Sequence, residues 1–218
     1  MLKEIVILGS SIFCGKTACS KNDGNIIISP FDEKYLNPVS VDLTLASEFK
    51  TYSREIKVCK WNELPEWVIY NKLFEEYVPG MYRYIDCLDV KAKNETQTLS
   101  IPEEGFVLMP GEVYLYAVNE RIGVKGNIRA KVEGKSSLGR LGLFIHVTAG
   151  FIDPGFEGSL VLELVATRPI KVYPNMKICQ IEFARVEGNI EESYDQKIGS
   201  KYHNQIGAQE SLMYKNFK

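Results

Sequence analysis

Histidine is nearly missing: the 218 residues contain only His146 and His203. The five cysteines (Cys14, Cys19, Cys59, Cys87 and Cys179) form no Cys-x-x-Cys pair, and their odd number argues against a closed disulfide framework. The histidine, nearby glutamate and later Cys-x-x-Cys with which zinc activates a water are therefore absent, and no zinc is expected. No apolar run approaches ~18 residues, which excludes a membrane-crossing helix. A formal charge of −2 leaves no basic excess for a dedicated nucleic-acid binder, so a few placed cations must hold any polyanionic ligand. The first nine residues, Met1-Leu-Lys-Glu-Ile-Val-Ile-Leu-Gly9, carry an acid where a signal peptide needs a basic segment, and their apolar stretch is too short. A cytoplasmic location is the expectation. Repeats and low-complexity linkers are also absent, and helical periodicity is scarce.

What the chain does have is short β-branched runs. They are Ile26–Ser29, Val39–Leu45, Phe106–Met109, Glu112–Val118, Ile128–Val132, Leu143–Thr148, Leu160–Val165 and Ile178–Phe183, split by Gly, Pro, Asn and Asp. Many short strands with frequent turn signals predict an all-β fold, mainly β with a few short helices, in a barrel or jelly roll. The first ~15 residues and the stretch from Lys60 to Tyr82 read as the helical pieces. With 45% hydrophobic residues one ordinary core is available. The expectation is a single domain over residues 1–218, with a decoration at about 55–100 and a polar C-terminal lid at about 191–218. Pro154-Gly155 and Pro110-Gly111 read as type II turns, which favour reversals between neighbouring strands. Gly9-Ser-Ser-Ile-Phe-Cys-Gly-Lys-Thr17 resembles a phosphate-cradling P-loop but has five residues between its glycines where the loop needs four.

One carboxylate sits where its surroundings least suit it. Gly158-Ser-Leu-Val-Leu-Glu-Leu-Val165 reads as a strand of branched aliphatics interrupted by Glu163. An acid in such a strand is rarely buried without a partner. Lys135, Ser136, Ser137 and Arg140 are near enough in sequence to supply one. Alternation places Ser159, Val161, Glu163 and Val165 on one face, which fits either a pocket wall or solvent. In a pocket, desolvation would raise the carboxyl's pKa and Arg140 would lower it, poising it for proton transfer. Lys135-Ser-Ser-Leu-Gly-Arg140 reads either as an anion-binding segment or as a helix N-cap. Asp153 reads as the start of the Pro-Gly turn, His146 as a structural histidine, and Gly199–Gln205 as either a lid or a solvated tail.

Several motifs then carry a resemblance. They are Val132–Leu143, His146–Gly158, Leu162-Glu-Leu164, Ile28–Glu33, Leu36–Leu45, Phe106–Glu112 and Ser200–Gly207. In matching order, these segments resemble the dCTP deaminase family of the dUTPase-like superfamily, over about residues 25–50 and 105–210. The resemblance implies a distorted jelly-roll, dUTPase-like β-barrel and a homotrimer with active sites shared between subunits. It implies hydrolytic deamination of dCTP to dUTP and ammonia without zinc, with Mg2+ bound through the triphosphate and not by protein side chains. The product dUTP or dUMP would supply thymidylate synthesis. Glu163 falls on the family's general acid/base, and Ser136 and Arg140 on the residues that position the water and that carboxylate. The main chain around Val147 to Ala149 would offer the water a further acceptor. Lys135, Ser137, Gln180, Tyr194, Lys201 and Gln205 fall on triphosphate ligands, and Asp153 on the sugar contact. Leu138, Gly139, Val161 and Leu162 complete the substrate-binding set. Lys135 stands where some members have Arg, and so loses the planar, two-pronged grip on phosphate.

Three other functions compete. The first is a bifunctional enzyme that carries dCTP on to dUMP and pyrophosphate. Gly150 favours it, because some monofunctional deaminases carry a bulkier residue there and its absence leaves room for a second water. The second is a dUTP diphosphatase alone, which has no need of Glu163. The third is a non-catalytic trimeric binding protein, which retention of Ser136, Arg140 and Glu163 together disfavours.

Overall fold

A computed structural model describes residues 25–53 and 56–217. The helix expected in the first ~15 residues and the Gly9–Thr17 segment lie outside the described residues. The strands are β1 (Ile26–Ser29), β2 (Val41–Tyr52), β3 (Ile56–Lys60), β4 (Phe74–Val78), β5 (Met81–Ile85), β6 (Thr96–Ser100) and β7 (Phe106–Leu108). They continue as β8 (Tyr114–Val124), β9 (Ile128–Gly134), β10 (Leu143–Phe144), β11 (Phe151–Ile152), β12 (Glu157–Ala166), β13 (Ile170–Val172) and β14 (Lys177–Arg185). Helix is confined to α1 (Glu66–Asn71), α2 (Ser136–Gly139) and short 3₁₀ turns. The fold is mainly β, with a curled antiparallel sheet, as the scarcity of helical periodicity implied. No helix among the described residues is long and apolar enough to cross a membrane.

The chain divides into two compact units. One comprises the residues up to Thr51 with Thr98–Glu210, the other Tyr52–Gln97 with Ser211–Lys218. In the first unit the main sheet runs in the order β10-β12-β8-β2-β14-β9-β11, and β1 also pairs with β8. Every one of these pairs is antiparallel. β12 shows why the sheet has one dry face. Gly158, Leu160, Leu162, Leu164 and Ala166 are buried while the residues between them are half-buried, as the two-residue repeat of a strand requires. Its leucines meet Leu43, Leu45, Phe49, Tyr116, Ile178 and Ile181 in a single core. There the Phe49 and Tyr116 rings stack at 4.5 Å. β7 and β13 form a separate two-stranded sheet.

Three expectations are corrected. Lys60–Tyr82 is not mainly helical: only a 3₁₀ turn and α1 are, and Phe74 onward is strand. The Phe74–Val78 and Met81–Ile85 strands flank Pro79-Gly80 and pair antiparallel, and Gly80 takes φ +79, so the turn chemistry sets a hairpin here. The strand expected over Leu143–Thr148 stops at Phe144, because the Val147 main chain turns to a side-chain acceptor and leaves the ladder. The Pro-Gly turns do reverse the chain, yet β11 pairs β9 while β12 pairs β8 and β10, and β7 and β8 belong to different sheets. Turn residues dictate a local reversal, not which strands pair.

The second unit holds a three-stranded sheet ordered β3-β5-β4. Its aromatic cluster joins Trp61 to Phe74 and Tyr82 edge-on, with centroids 5.5 and 5.3 Å apart. Trp67 meets Tyr84 in the same way.

Candidate active site

Glu163 lies on β12 opposite Leu115 of β8, half-buried on the face that alternation assigned to it. Its Oε2 accepts a hydrogen bond from the Val147 main-chain N–H at 2.9 Å. That donor anchors one oxygen and leaves the other available. No hydrogen bond or ion pair among the described residues links Glu163 to Lys135, Ser136 or Arg140, so within the chain the acid is held by main chain. The loop that supplies the donor is tightly set. Gly150 is buried, and a Cβ there would stand 3.0 Å from the Val132 carbonyl and 3.2 Å from His146 Nε2. The other His146 nitrogen, Nδ1, is buried with no partner among the described residues.

The segment after β9 is the second component. Lys135 is extended (φ −95, ψ 129) and its carbonyl starts α2, receiving the N–H groups of Leu138 and Gly139. Ser136 is thus the first helical residue, and the N-cap reading fails, because no side chain caps this helix. Ser136, Ser137, Gly139 and Arg140 are exposed, while Leu138 packs against the core. Among the described residues the Ser136 and Arg140 side chains make no hydrogen bond or ion pair. They form a polar edge whose groups remain available for a ligand or another copy of the chain.

The third component was not anticipated from sequence. Asp42 on β2 is 3% exposed, yet its carboxylate receives Lys135 Nζ at 2.5 Å, Lys177 Nζ at 2.9 Å and Asn37 Nδ2 at 2.9 Å. Burial pushes its pKa up, but these three donors outweigh burial and hold it below the ordinary carboxylate value. Gln180 lies across from Asp42 on β14. Its amide is fixed at both ends, accepting from Ser40 Oγ at 2.9 Å and donating to the Gly134 carbonyl at 3.1 Å. Two residues along β2, Thr44 donates from its main-chain N–H (3.0 Å) and hydroxyl (2.8 Å) to the buried Glu120. Burial pushes the Glu120 carboxyl up, against those two bonds. Glu120 borders a cleft of about 650 Å³ together with Phe31, Asp32, Tyr35, Asn119 and Asn175. Asp42 carries the same signal that singled out Glu163, an acid within an aliphatic strand. Nothing in the sequence ties Lys177 to it.

The C-terminal segment is docked rather than solvated. Tyr194 N–H donates to the Pro154 carbonyl at 2.7 Å, and the Tyr194 hydroxyl accepts from Tyr202 N–H at 3.2 Å. The Tyr194 ring packs on Phe156. Gln205 pairs with Ser159 through both its side chain (2.7 Å) and its main chain (2.9 Å). Asp153 is exposed, and its carbonyl closes the Pro154-Gly155 turn onto Phe156. Tyr194, Gln205 and Asp153 are thereby gathered at the start of β12, with Lys201 half-exposed beside them in sequence. Val161 is half-buried on the Glu163 face, whereas the Leu162 side chain is in the core at 2% exposure. Any ligand contact of Leu162 therefore falls to its main chain. Among the described residues, no group of three or more His, Cys, Asp and Glu side chains is arranged to hold a metal ion.

The curled antiparallel sheet carries an anchored carboxylate on β12, and a serine- and arginine-bearing turn follows β9. The family model described as dCTP deaminase-like matches residues 72–186. A dCTP deaminase, dUMP-forming, of Clostridium beijerinckii is 41% identical over 207 residues, covering 95% of this chain and 99% of its own. A protein of the same name from Nanoarchaeum equitans is 37% identical over 195 residues, covering 88% and 91%. A solved 2'-deoxycytidine 5'-triphosphate deaminase from Agrobacterium tumefaciens aligns with TM-score 0.48 and 21% identity, over 77% of this chain and 46% of its own. The chain belongs to the dCTP deaminase-like family.

Proposed function

We propose that the protein hydrolyses dCTP at the exocyclic amine and carries the resulting dUTP on to dUMP and pyrophosphate. The observation that carries the first reaction is Glu163, half-buried, with one oxygen anchored by Val147 N–H and the other available. Water attacks C4 of the cytosine and gives its proton to that carboxylate. The carboxylate passes that proton to N3, then takes the proton of the new C4 hydroxyl and gives it to the amine as the C4 carbonyl forms, the C4–N4 bond breaks and ammonia leaves. One carboxylate cycling between two states serves all these transfers and contributes ~10²–10⁴-fold. The relatives named dUMP-forming support the second reaction, in which water attacks the α-phosphorus and the bond to the β-phosphate oxygen breaks. Gly150 itself lies close against the Val132 carbonyl and His146, so the room for a second water expected beside it is not what supports this branch.

Among the described residues the Ser136 and Arg140 side chains make no hydrogen bond or ion pair, and Glu163 has no cationic partner. This supports a homotrimer in which the serine–arginine edge of one subunit completes the Glu163 site of the next. Lys135, Ser137, Gln180, Tyr194, Lys201 and Gln205 would hold the triphosphate, Asp153 the sugar, and Leu138, Gly139, Val161 and Leu162 the remainder of the nucleotide. Mg2+ would be bound through the phosphates, where it neutralises charge. The buried Asp42 is already taken by two ammonium groups and does not suit it as a ligand. The test is incubation with dCTP and Mg2+, with ammonia and pyrophosphate measured together. Equal amounts of both, with dUMP as the nucleotide, are expected; ammonia alone would leave dUTP as the end product. Glu163→Gln is expected to retain nucleotide binding while ammonia release falls by ~10²-fold or more. Substantial turnover by this variant would refute the role of Glu163.

A further inference from the structure

The buried carboxylate of Asp42 carries one negative charge, and two ammonium groups reach it within 3 Å. One lysine would neutralise it. The second adds a positive charge close to the first, and like charges held near each other in a partly desolvated site repel. Asp32, which lies near Lys177, is paired with Lys34 at 2.7 Å, and Glu120, in the cleft that Tyr35 also borders, is engaged by Thr44. A cluster built only for stability has no use for the extra cation, whereas an anion-binding cluster does.

The way Lys177 arrives there points the same way. The pairing of β14 with β2 shifts register between Lys177 and Cys179. Ile178 and Cys179 are consecutive buried residues, and Lys177 and Gln180 lie on either side of them. Three residues apart, these two would face opposite sides of a regular strand, but a bulge re-aims one of them. Lys177 reaches the Asp42 carboxylate, and Gln180 lies opposite Asp42 and is fixed to Gly134, next to Lys135. The Lys177 ammonium also stands 5.1 Å over the Tyr35 ring, which holds it further in place. Its side chain is 44% exposed, against 24% for Lys135.

We infer that Lys177 is a further phosphate-binding residue of the nucleotide site, the outer member of a lysine pair that Asp42 holds together and aims at the triphosphate. This rests on the nucleotide reading above. A lysine offers a point charge without the two-pronged grip of arginine, so a second lysine adds charge that Lys135 alone does not supply.

The test uses the full chain carrying Glu163→Gln, which binds without turnover, titrated with dCTP and with dCMP in the presence of Mg2+. Adding Lys177→Ala is expected to weaken dCTP about tenfold, change dCMP by less than about twofold, and be reversed by Lys177→Arg. Lys177→Met, which keeps the aliphatic stem over Tyr35, is the second variant and is expected to match Lys177→Ala. A dCTP loss below about threefold, or an equal loss for dCMP, overturns the assignment of Lys177 while leaving the nucleotide site standing. Failure of the Glu163→Gln parent to bind dCTP at all overturns the reading on which it rests.

Discussion

Asp42 and Glu120 serve the same strand, β2, and their surroundings move them in opposite directions. For Asp42, Lys135, Lys177 and Asn37 outweigh burial and the carboxyl is lowered; its contribution to stability is present above the ordinary aspartate value and is lost as pH falls through the folded one. For Glu120 burial dominates and the carboxyl is raised. The folded state then binds more protons than the unfolded one, so stability falls as pH rises from the ordinary glutamate value through the folded one. Glu120→Gln removes that dependence. Relative to wild type, its melting midpoint is expected to improve as pH rises above the ordinary glutamate value in parallel thermal scans; an offset independent of pH would show that Glu120 does not carry the dependence. At this scale the sequence was most informative about Glu163, because a two-residue repeat alone fixes which face a strand residue occupies. It was least informative about Asp42 and Lys177, 135 residues apart, whose meeting depends on a register shift between their strands that leaves no local trace.

Among the elements, the segment from Ser193 to Gly207 depends on one glycine. Gly155 takes φ +91, and a Cβ there would lie 2.2 Å from Asp195 Oδ1 and 2.9 Å from the Tyr194 main-chain nitrogen. Gly155→Ala therefore meets both a disfavoured backbone angle and a clash with the docked segment. Trypsin is expected to cut this variant at Lys197 or Lys201 at least about tenfold faster than wild type, since the rate tracks local opening, and its KM for dCTP is expected to rise. Unchanged cleavage and KM would mean that the segment does not depend on this turn. The Pro154-Gly155 signal was legible in the sequence, as were most strands of the main sheet. The docking of the tail was not, because composition cannot distinguish a polar lid from a solvated end. The hairpin of β4 and β5 was missed for a different reason: the stretch was read as helical as a whole, while Pro79-Gly80 dictated the reversal.

For the whole molecule, the lack of a carboxylate partner for the serine–arginine edge among the described residues makes a prediction about assembly. Glu163→Gln and Arg140→Ala subunits, each inactive alone, are expected to regain about a quarter of wild-type activity when unfolded together and refolded at equal ratio, since a site shared across a ring interface is then intact with that frequency. Absence of recovery, with both variants folded and assembled, would place the whole site within one subunit. The chain has only two tryptophans, Trp61 and Trp67, and both belong to the unit formed by Tyr52–Gln97 with Ser211–Lys218. Indole emission is therefore a private reporter for that unit, silent about the sheet that bears Glu163 except through coupling. Comparing its unfolding curve with the far-ultraviolet signal of the large sheet tests whether the two units come apart as one cooperative body or as two.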